Sequence, residues 1–297
     1  MSPTDSDDTE RSLSGQQVPE SVAVRERFAP VVGFDSGQDG PWIPGEREAR
    51  MEYEGFLELV KGRRTIRAIK PDPIDDATIE KLLEAARWAP TGFNMQPCEF
   101  VVVKDLKLRT AIQKIVDEYR LSDFFPMEAT REEWQGSPWT PEGGDFHTAL
   151  APVFILVLGD TRRIVGLPMA ARYSSQKGDS IFESSMAFPF MYMLLAAHAL
   201  GLAAMPVSAT KYPKVGGLVK HLLNIPDYLK IYDMLLVGES AMEGAPGAKL
   251  MRRLDAMVHY DRAADDEFMT DADLREEIAK LRRGNVGRHQ EADRLTD

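Results

Sequence analysis

The sequence predicts an α+β fold, with helices flanking a mixed or antiparallel sheet, and three observations carry that prediction. Short apolar, β-branched runs occur at residues 99–103, 153–158 and 233–237, and the last two are continuous, as in strands covered on both faces. Amphipathic segments with capping and breaking residues lie between these runs. Residues 184–210 contain no Asp, Glu, Lys or Arg, and the stretch before Gly201 is too long for a strand.

In chain order, residues 1–48 are rich in Ser, Asp, Pro and Gly and read as an extension whose early part is disordered. Phe28, Val31, Val32, Phe34 and Trp42 leave two readings of its later part, an arm around a partner subunit or a loose tail. Residues 51–61 form a helix with Phe56, Leu59 and Val60 on one face. Pro71 and Pro73 break the chain, and Asp75 or Asp76 caps a helix over 77–88 striped with Ile79, Leu82, Leu83 and Ala86. The strand at 99–103 leads to a helix over 105–119. Residues 120–150 are irregular and aromatic, with Phe124, Phe125, Trp134, Trp139 and Phe146, and a loop this long inside a compact domain is usually functional or disordered. After the strand at 153–158 come a long helix over 179–200, a short one over 214–223, the strand at 233–237, and a C-terminal helix over 271–283. Thr270 and Asp273 cap that last helix and Gly284 stops it.

The charge-free segment has the hydropathy of a membrane span, but Pro189, His198 and the Ser184–Ser185 pair weaken it and no Lys/Arg bias flanks it. A helix apolar all round reads instead as buried in a core or an interface. A net charge of -11 argues against nucleic acid as a partner. The single cysteine, Cys98, allows no intrachain disulfide and fits a reducing, cytoplasmic location; the polar, acidic N-terminus is not a secretory signal.

Two clusters carry chemistry. Arg63, Arg64, Thr65 and Arg67 follow the first helix, and guanidinium forks with a hydroxyl suit a phosphate. The other reading is a solvated basic helix end. Ala89, Pro90, Thr91 and Gly92 leave little bulk over a flat ligand, and Asn94 and Gln96 offer amides to a ring edge; the other reading is a plain helix-to-strand connection. The five histidines have no metal-ligand spacing, and no Gly-x-Gly-x-x-Gly follows a strand.

Together the clusters resemble the FMN-dependent nitroreductase family, in which an Arg-Arg-Ser-x-Arg segment grips the flavin phosphate and ribityl chain. In that family an Ala-Pro-Ser-x-x-Asn-x-Gln-Pro-Trp loop covers the flavin from the partner subunit. The resemblance covers about residues 55–262 and implies an FMN domain over 49–262, with a lid insertion at 120–150 and a C-terminal helical extension over 263–297. It implies a homodimer joined at the long helix, with FMN sites at the interface. It makes Pro206, Val207, Ser208 and Ala209 the loop beside flavin N5, and Arg252, or the adjacent Arg253, a second phosphate ligand. It places Phe124, Phe125, Trp134 and Trp139 in a substrate lid.

The implied activity is hydride transfer from NAD(P)H to flavin N5, then ping-pong reduction of a nitroaromatic, quinone or related small aromatic acceptor, with the chemistry carried by FMN and no dedicated catalytic side chain. Halotyrosine reductive dehalogenation, flavin fragmentation and dehydrogenation occur on the same scaffold; the first ranks lower because Glu118, Tyr119 and Lys177 make no convincing counterpart of the deiodinases' zwitterion-binding lid, and the second because its enzymes have a different loop before Gln-Pro. A flavin-binding protein with a degenerate site is the non-enzymatic alternative. The sequence departs from the family at Cys98, where Trp is usual. Cys98 reads as a small buried residue rather than a nucleophile, and His198 as a core histidine.

Overall fold

The computed structural model describes residues 52–129, 151–243, 249, 251–264 and 267–286. The N-terminal extension expected over 1–48, and Trp134 and Trp139 of the expected lid, lie outside the described residues. Among those described, helices α1 (Tyr53–Gly62), α2 (Asp76–Arg87) and α3 (Leu106–Tyr119) alternate with strand β1 (Cys98–Val103). A π-helical turn (Arg120–Phe124) and short α4 (Phe125–Ala129) follow. Then come β2 (Val153–Asp160), α5 (Met169–Arg172), α6 (Ser175–Ala199), β3 (Ala203–Pro206), α7 (Pro213–Leu222), β4 (Leu229–Gly238) and α8 (Asp271–Val286).

The four strands form one sheet in the order β1-β2-β4-β3, and every pairing is antiparallel, so the described sheet has no parallel pair. All eight residues of β2 are buried, as a run covered on both faces requires. The period of two sends Val153, Ile155 and Val157 to one face, with Leu82 and Ala86 of α2 and Phe182, Met186 and Met193 of α6. Phe154, Leu156 and Leu158 go to the other, with Ile112 and Val116 of α3 and Val215 and Val219 of α7. Helices therefore cover the sheet on both sides, and each fully buried Leu, Ile, Met or Phe contributes about 1.5–3 kcal/mol by leaving water.

The capping signals are used as read. The Asp75 carboxylate accepts from the Thr78 N–H at 2.7 Å, and the Asp273 N–H donates to the Thr270 hydroxyl at 3.3 Å. Three expectations are corrected. The long helix starts at Ser175, because the Ser174 hydroxyl accepts from the Lys177 N–H and caps it there. Gly284 does not end α8, which runs to Val286. Residues 120–129 continue helically from α3 instead of becoming irregular.

Helix α6 is two-sided. Phe182, Met186, Pro189, Phe190, Met193 and Ala197 face the core, whereas Phe188, Met191 and Tyr192 are exposed on its outer face. It is the one described helix long and apolar enough to cross a membrane. Phe56 and Val60, on the apolar face of α1, are also exposed.

Candidate functional site

The basic cluster leaves α1 where the chain turns extended. Gly62 lies so close to α6 that a Cβ there would stand 2.5 Å from His198 Nε2. The Ile66 N–H donates to Ala204 O at 3.1 Å, which fixes residues 63–67 along the edge strand β3. Arg63, Arg64, Thr65 and Arg67 are all half-buried. Burial first, then the neighbouring Arg64 charge, pushes the Arg63 pKa down; burial, then Arg120, does the same to Arg67. Arg64 turns back on its helix, donating to the Lys61 and Arg63 carbonyls, while its Nε is buried without a hydrogen-bond partner.

The second cluster is a strained loop. Phe93, Asn94 and Gln96 have φ of 53°, 52° and 46°. Three non-glycine residues in the left-handed region within four positions mark a backbone that its surroundings over-determine, and such strain concentrates at ligand sites. Several bonds hold it. The Gln96 N–H donates to the Thr91 hydroxyl at 3.0 Å and the Gln96 side-chain amide to Asn94 Oδ1 at 2.8 Å. The Gly92 N–H donates to Ser185 Oγ on α6 at 2.9 Å, and a Cβ on Gly92 would lie 2.3 Å from Ile181 Cγ2.

Ser185 was missed by sequence reasoning, and its signal was Pro189. A proline has no N–H, so the Ser185 carbonyl, four residues earlier, loses its helical donor. The Cys98 thiol takes that carbonyl at 3.4 Å. Burial pushes the Cys98 pKa up to about 12, in keeping with a packed thiol and not a nucleophile. One serine thus joins the loop, the first residue of β1 and α6.

In the third segment, Val207 is buried and its N–H donates to Met234 O at 2.8 Å. Ser208 is exposed and its hydroxyl has no partner among the described residues, while Pro206 and Ala209 are half-buried. The Ile66 N–H bond to Ala204 O sets residues 63–67 beside the strand that leads directly into residues 206–209. The 90–96 loop is not with them. It is anchored to α6 at Ser185, whereas Gly62 meets α6 at His198, thirteen residues or about 20 Å further along the helix. Arg252 and Arg253 are exposed and held elsewhere. Arg252 pairs with Glu277 of α8 at 3.3 Å and donates to Ala256 O at 3.1 Å, and Arg253 pairs with Asp255. Of the expected lid aromatics, Phe125 is buried in the body and Phe124 half-buried, the rings edge-on with centroids 5.7 Å apart.

A family model described as "Nitroreductase family" matches residues 60–239, more than half of the chain. The chain belongs to the nitroreductase family. Within it, the chain is 29% identical over 200 residues to iodotyrosine deiodinase 1 of Rattus norvegicus, a match covering 65% of this chain and 65% of the length of that relative. It is 26% identical over 185 residues to iodotyrosine deiodinase of Thermotoga neapolitana, covering 62% of this chain and 87% of that one. In structure it resembles the NADPH:FMN oxidoreductase of Vibrio harveyi complexed with NAD+, with a TM-score of 0.55 at 16% identity, covering 76% of this chain and 84% of the other, which shows a shared fold.

The nitroreductase residues present fit flavin mononucleotide. The Arg63 guanidinium has no carboxylate partner among the described residues, and the buried Arg64 Nε lacks an acceptor. A phosphate answers both, since buried cations and donors are costly until paired. The small residues 89–92 and the strained amides after them suit a planar ring.

Proposed function

We propose that this nitroreductase-family protein is a homodimeric FMN-dependent oxidoreductase, each site built from residues 63–67 and 206–209 of one copy and the 90–96 loop of the other. The observation that carries this reading is the separation along α6. Two segments with complementary flavin-binding chemistry are anchored about 20 Å apart along α6 in one chain, an arrangement in which the loop of a second copy would complete the site of the first. The exposed Phe188, Met191 and Tyr192 on α6, and Phe56 and Val60 on α1, supply apolar surface for that contact.

When bound, FMN carries two electrons and a proton from a nicotinamide donor to the acceptor, so that NAD(P)H, a proton and the oxidised acceptor become NAD(P)+ and the reduced acceptor. The chain binds and orients. Arg63 and Arg64 would hold the phosphate, and Arg67, in the same segment, would add cationic charge that favours the electron-rich form of the ring. The strained 90–96 backbone forms a fixed cover. Ser208 offers a hydroxyl to the ring, because the Val207 N–H is already committed to Met234 O.

The acceptor is a conjugated small molecule, a nitroaromatic or quinone in the leading reading. A second reading, reductive dehalogenation, is favoured by the likeness to the iodotyrosine deiodinases. One experiment tests both. The purified protein is loaded with FMN, its visible spectrum is recorded, and NADPH, NADH or dithionite is added anaerobically, followed by a nitroaromatic, a quinone or a halotyrosine. Flavin bands that bleach with a nicotinamide donor and return with the nitroaromatic or quinone support the first reading. Return with halide release from the halotyrosine alone supports the second. A protein that takes up no FMN refutes both.

A further inference from the structure

We infer that the ion pair between Lys211 and Asp233 positions Ser208 against the flavin; this rests on the flavin reading above. The turn that carries Ser208 is fastened to β4 at both ends. At its start the Val207 N–H donates to Met234 O at 2.8 Å, and at its end Lys211 Nζ stands 3.3 Å from Asp233 Oδ2. Asp233 and Met234 are adjacent, so residues 208–210 form a short loop closed on two neighbouring residues of one strand. Within it the Thr210 hydroxyl donates to Val207 O at 3.2 Å, and Thr210 is buried. Gly216 of α7 packs close by, where a Cβ would lie 2.7 Å from Thr210 O. Between the two fastenings, Ser208 is the exposed residue.

Strand β4 is deformed at the point of fastening. Val157 of β2 pairs with Asp233 and Leu158 with Ile231, which leaves Tyr232 as an extra residue. Such a bulge re-aims a side chain and is over-represented next to active sites. Tyr232 packs on the α6 side of the sheet, its ring edge-on to Phe190 with centroids 5.9 Å apart. Lys211 Nζ lies 4.2 Å from the Tyr232 ring centroid, so a carboxylate and an aromatic face hold the ammonium together. Asp233 Oδ1 accepts from the Met234 N–H at 2.8 Å, which fixes the carboxylate itself. Asp233 is only 5% exposed, whereas the Lys211 side chain is half-exposed. A buried carboxylate paired in this way is a poor source of stability, since apolar residues of similar volume often serve as well or better. What the pair supplies is a directional tie at the end of the turn, and with it a fixed place for the Ser208 hydroxyl.

A double-mutant cycle on the FMN-loaded protein, with Ser208→Ala, Lys211→Met and the double variant, tests this. Flavin uptake is measured first by fluorescence. The ratio of reduced to oxidised flavin is then read in anaerobic equilibrium with a dye of known potential. Losing one hydrogen bond to the ring changes that ratio by about 3- to 10-fold. Ser208→Ala is expected to shift it by this factor, Lys211→Met to shift it in the same direction, and the double variant to shift it no further than Ser208→Ala alone. Lys211→Arg, whose guanidinium still reaches Asp233, is expected to restore most of the wild-type ratio. Factors that multiply in the double variant overturn the inference, as does an unchanged ratio in either single variant or a Lys211→Arg that behaves like Lys211→Met. A pair that merely supports the fold would lower Tm in Lys211→Met and leave the ratio where it was. Asp233→Asn keeps the shape of the carboxylate and completes the same cycle where Lys211→Met does not fold. Failure of the wild type to take up FMN sinks the proposed function and this inference with it, whereas uptake with independent factors sinks the role of Lys211 alone.

Discussion

Replacing Gly92 by Ala tests whether the strained loop is held by α6. The added Cβ would lie 2.3 Å from Ile181 Cγ2 and 3.5 Å from Ser185 Oγ. The first distance is short of ordinary carbon–carbon contact by more than about 1 Å. Ile181 is β-branched on a helix, where one χ1 rotamer dominates, so the loop gives way more easily than the side chain. Lifting the loop breaks the 2.9 Å bond from the Gly92 N–H to Ser185 Oγ. Overpacking costs about 1–3 kcal/mol and the lost bond about 0.5–1.5 kcal/mol, together on the order of 2–4 kcal/mol. In a domain of this size that lowers Tm by roughly 4–16 °C. Thermal unfolding and FMN titration of Gly92→Ala, Ile181→Ala and the double variant form the assay. Gly92→Ala is expected to lose stability and flavin affinity, and Ile181→Ala is expected to restore part of both despite its own cavity. If the double variant is as impaired as the two single losses added, the steric account is refuted.

Two further outcomes follow from the buried titratable groups. With its pKa pushed up to about 12, the lone Cys98, half-buried and not fully buried as expected, should react with iodoacetamide at pH 8 about a thousandfold more slowly in the native protein than after unfolding, read by mass; comparable rates would contradict its desolvated setting. Burial also raises the Asp233 pKa, although Lys211 Nζ is 3.3 Å away, so Lys211→Met strands a buried carboxylate. The variant should lose about 1–3 kcal/mol at pH 7. A carboxyl whose folded pKa is raised keeps its stability at low pH and loses it as the pH climbs, so the penalty should shrink toward pH 4. Equal losses in urea unfolding at both pH values would show that Lys211 acts through packing alone.

The layers of the fold were legible because they rest on periodicity. The continuous runs at 153–158 and 233–237 became the two central strands, and the Asp75 and Thr270 caps formed as written. Strand β3 was read only as a loop, since Ala203–Pro206 carries no β-branched residue and owes its pairing to β4. Of the site, the residue types at 63–67 and 90–96 were readable, but their separation was not, because it is set by which turns of α6 they dock on. Ser185 was missed because it acts through a helix break at Pro189 and a thiol distant in sequence, which the local pattern does not connect.

The bond from Cys98 to the Ser185 carbonyl also ties two distant positions to each other. With proline at 189 the carbonyl needs a donor from outside the helix, and a small residue carrying a hydrogen is what position 98 supplies. A Cys98→Trp replacement would bring a ring into that space and move the donor, while Pro189→Ala would return the carbonyl to its own helix and leave the thiol without its acceptor. Each change alone is awkward, and the pair together is self-consistent. The thiol at 98 and the proline at 189 are thus two halves of one contact, and exchanging either alone leaves the other half without its partner.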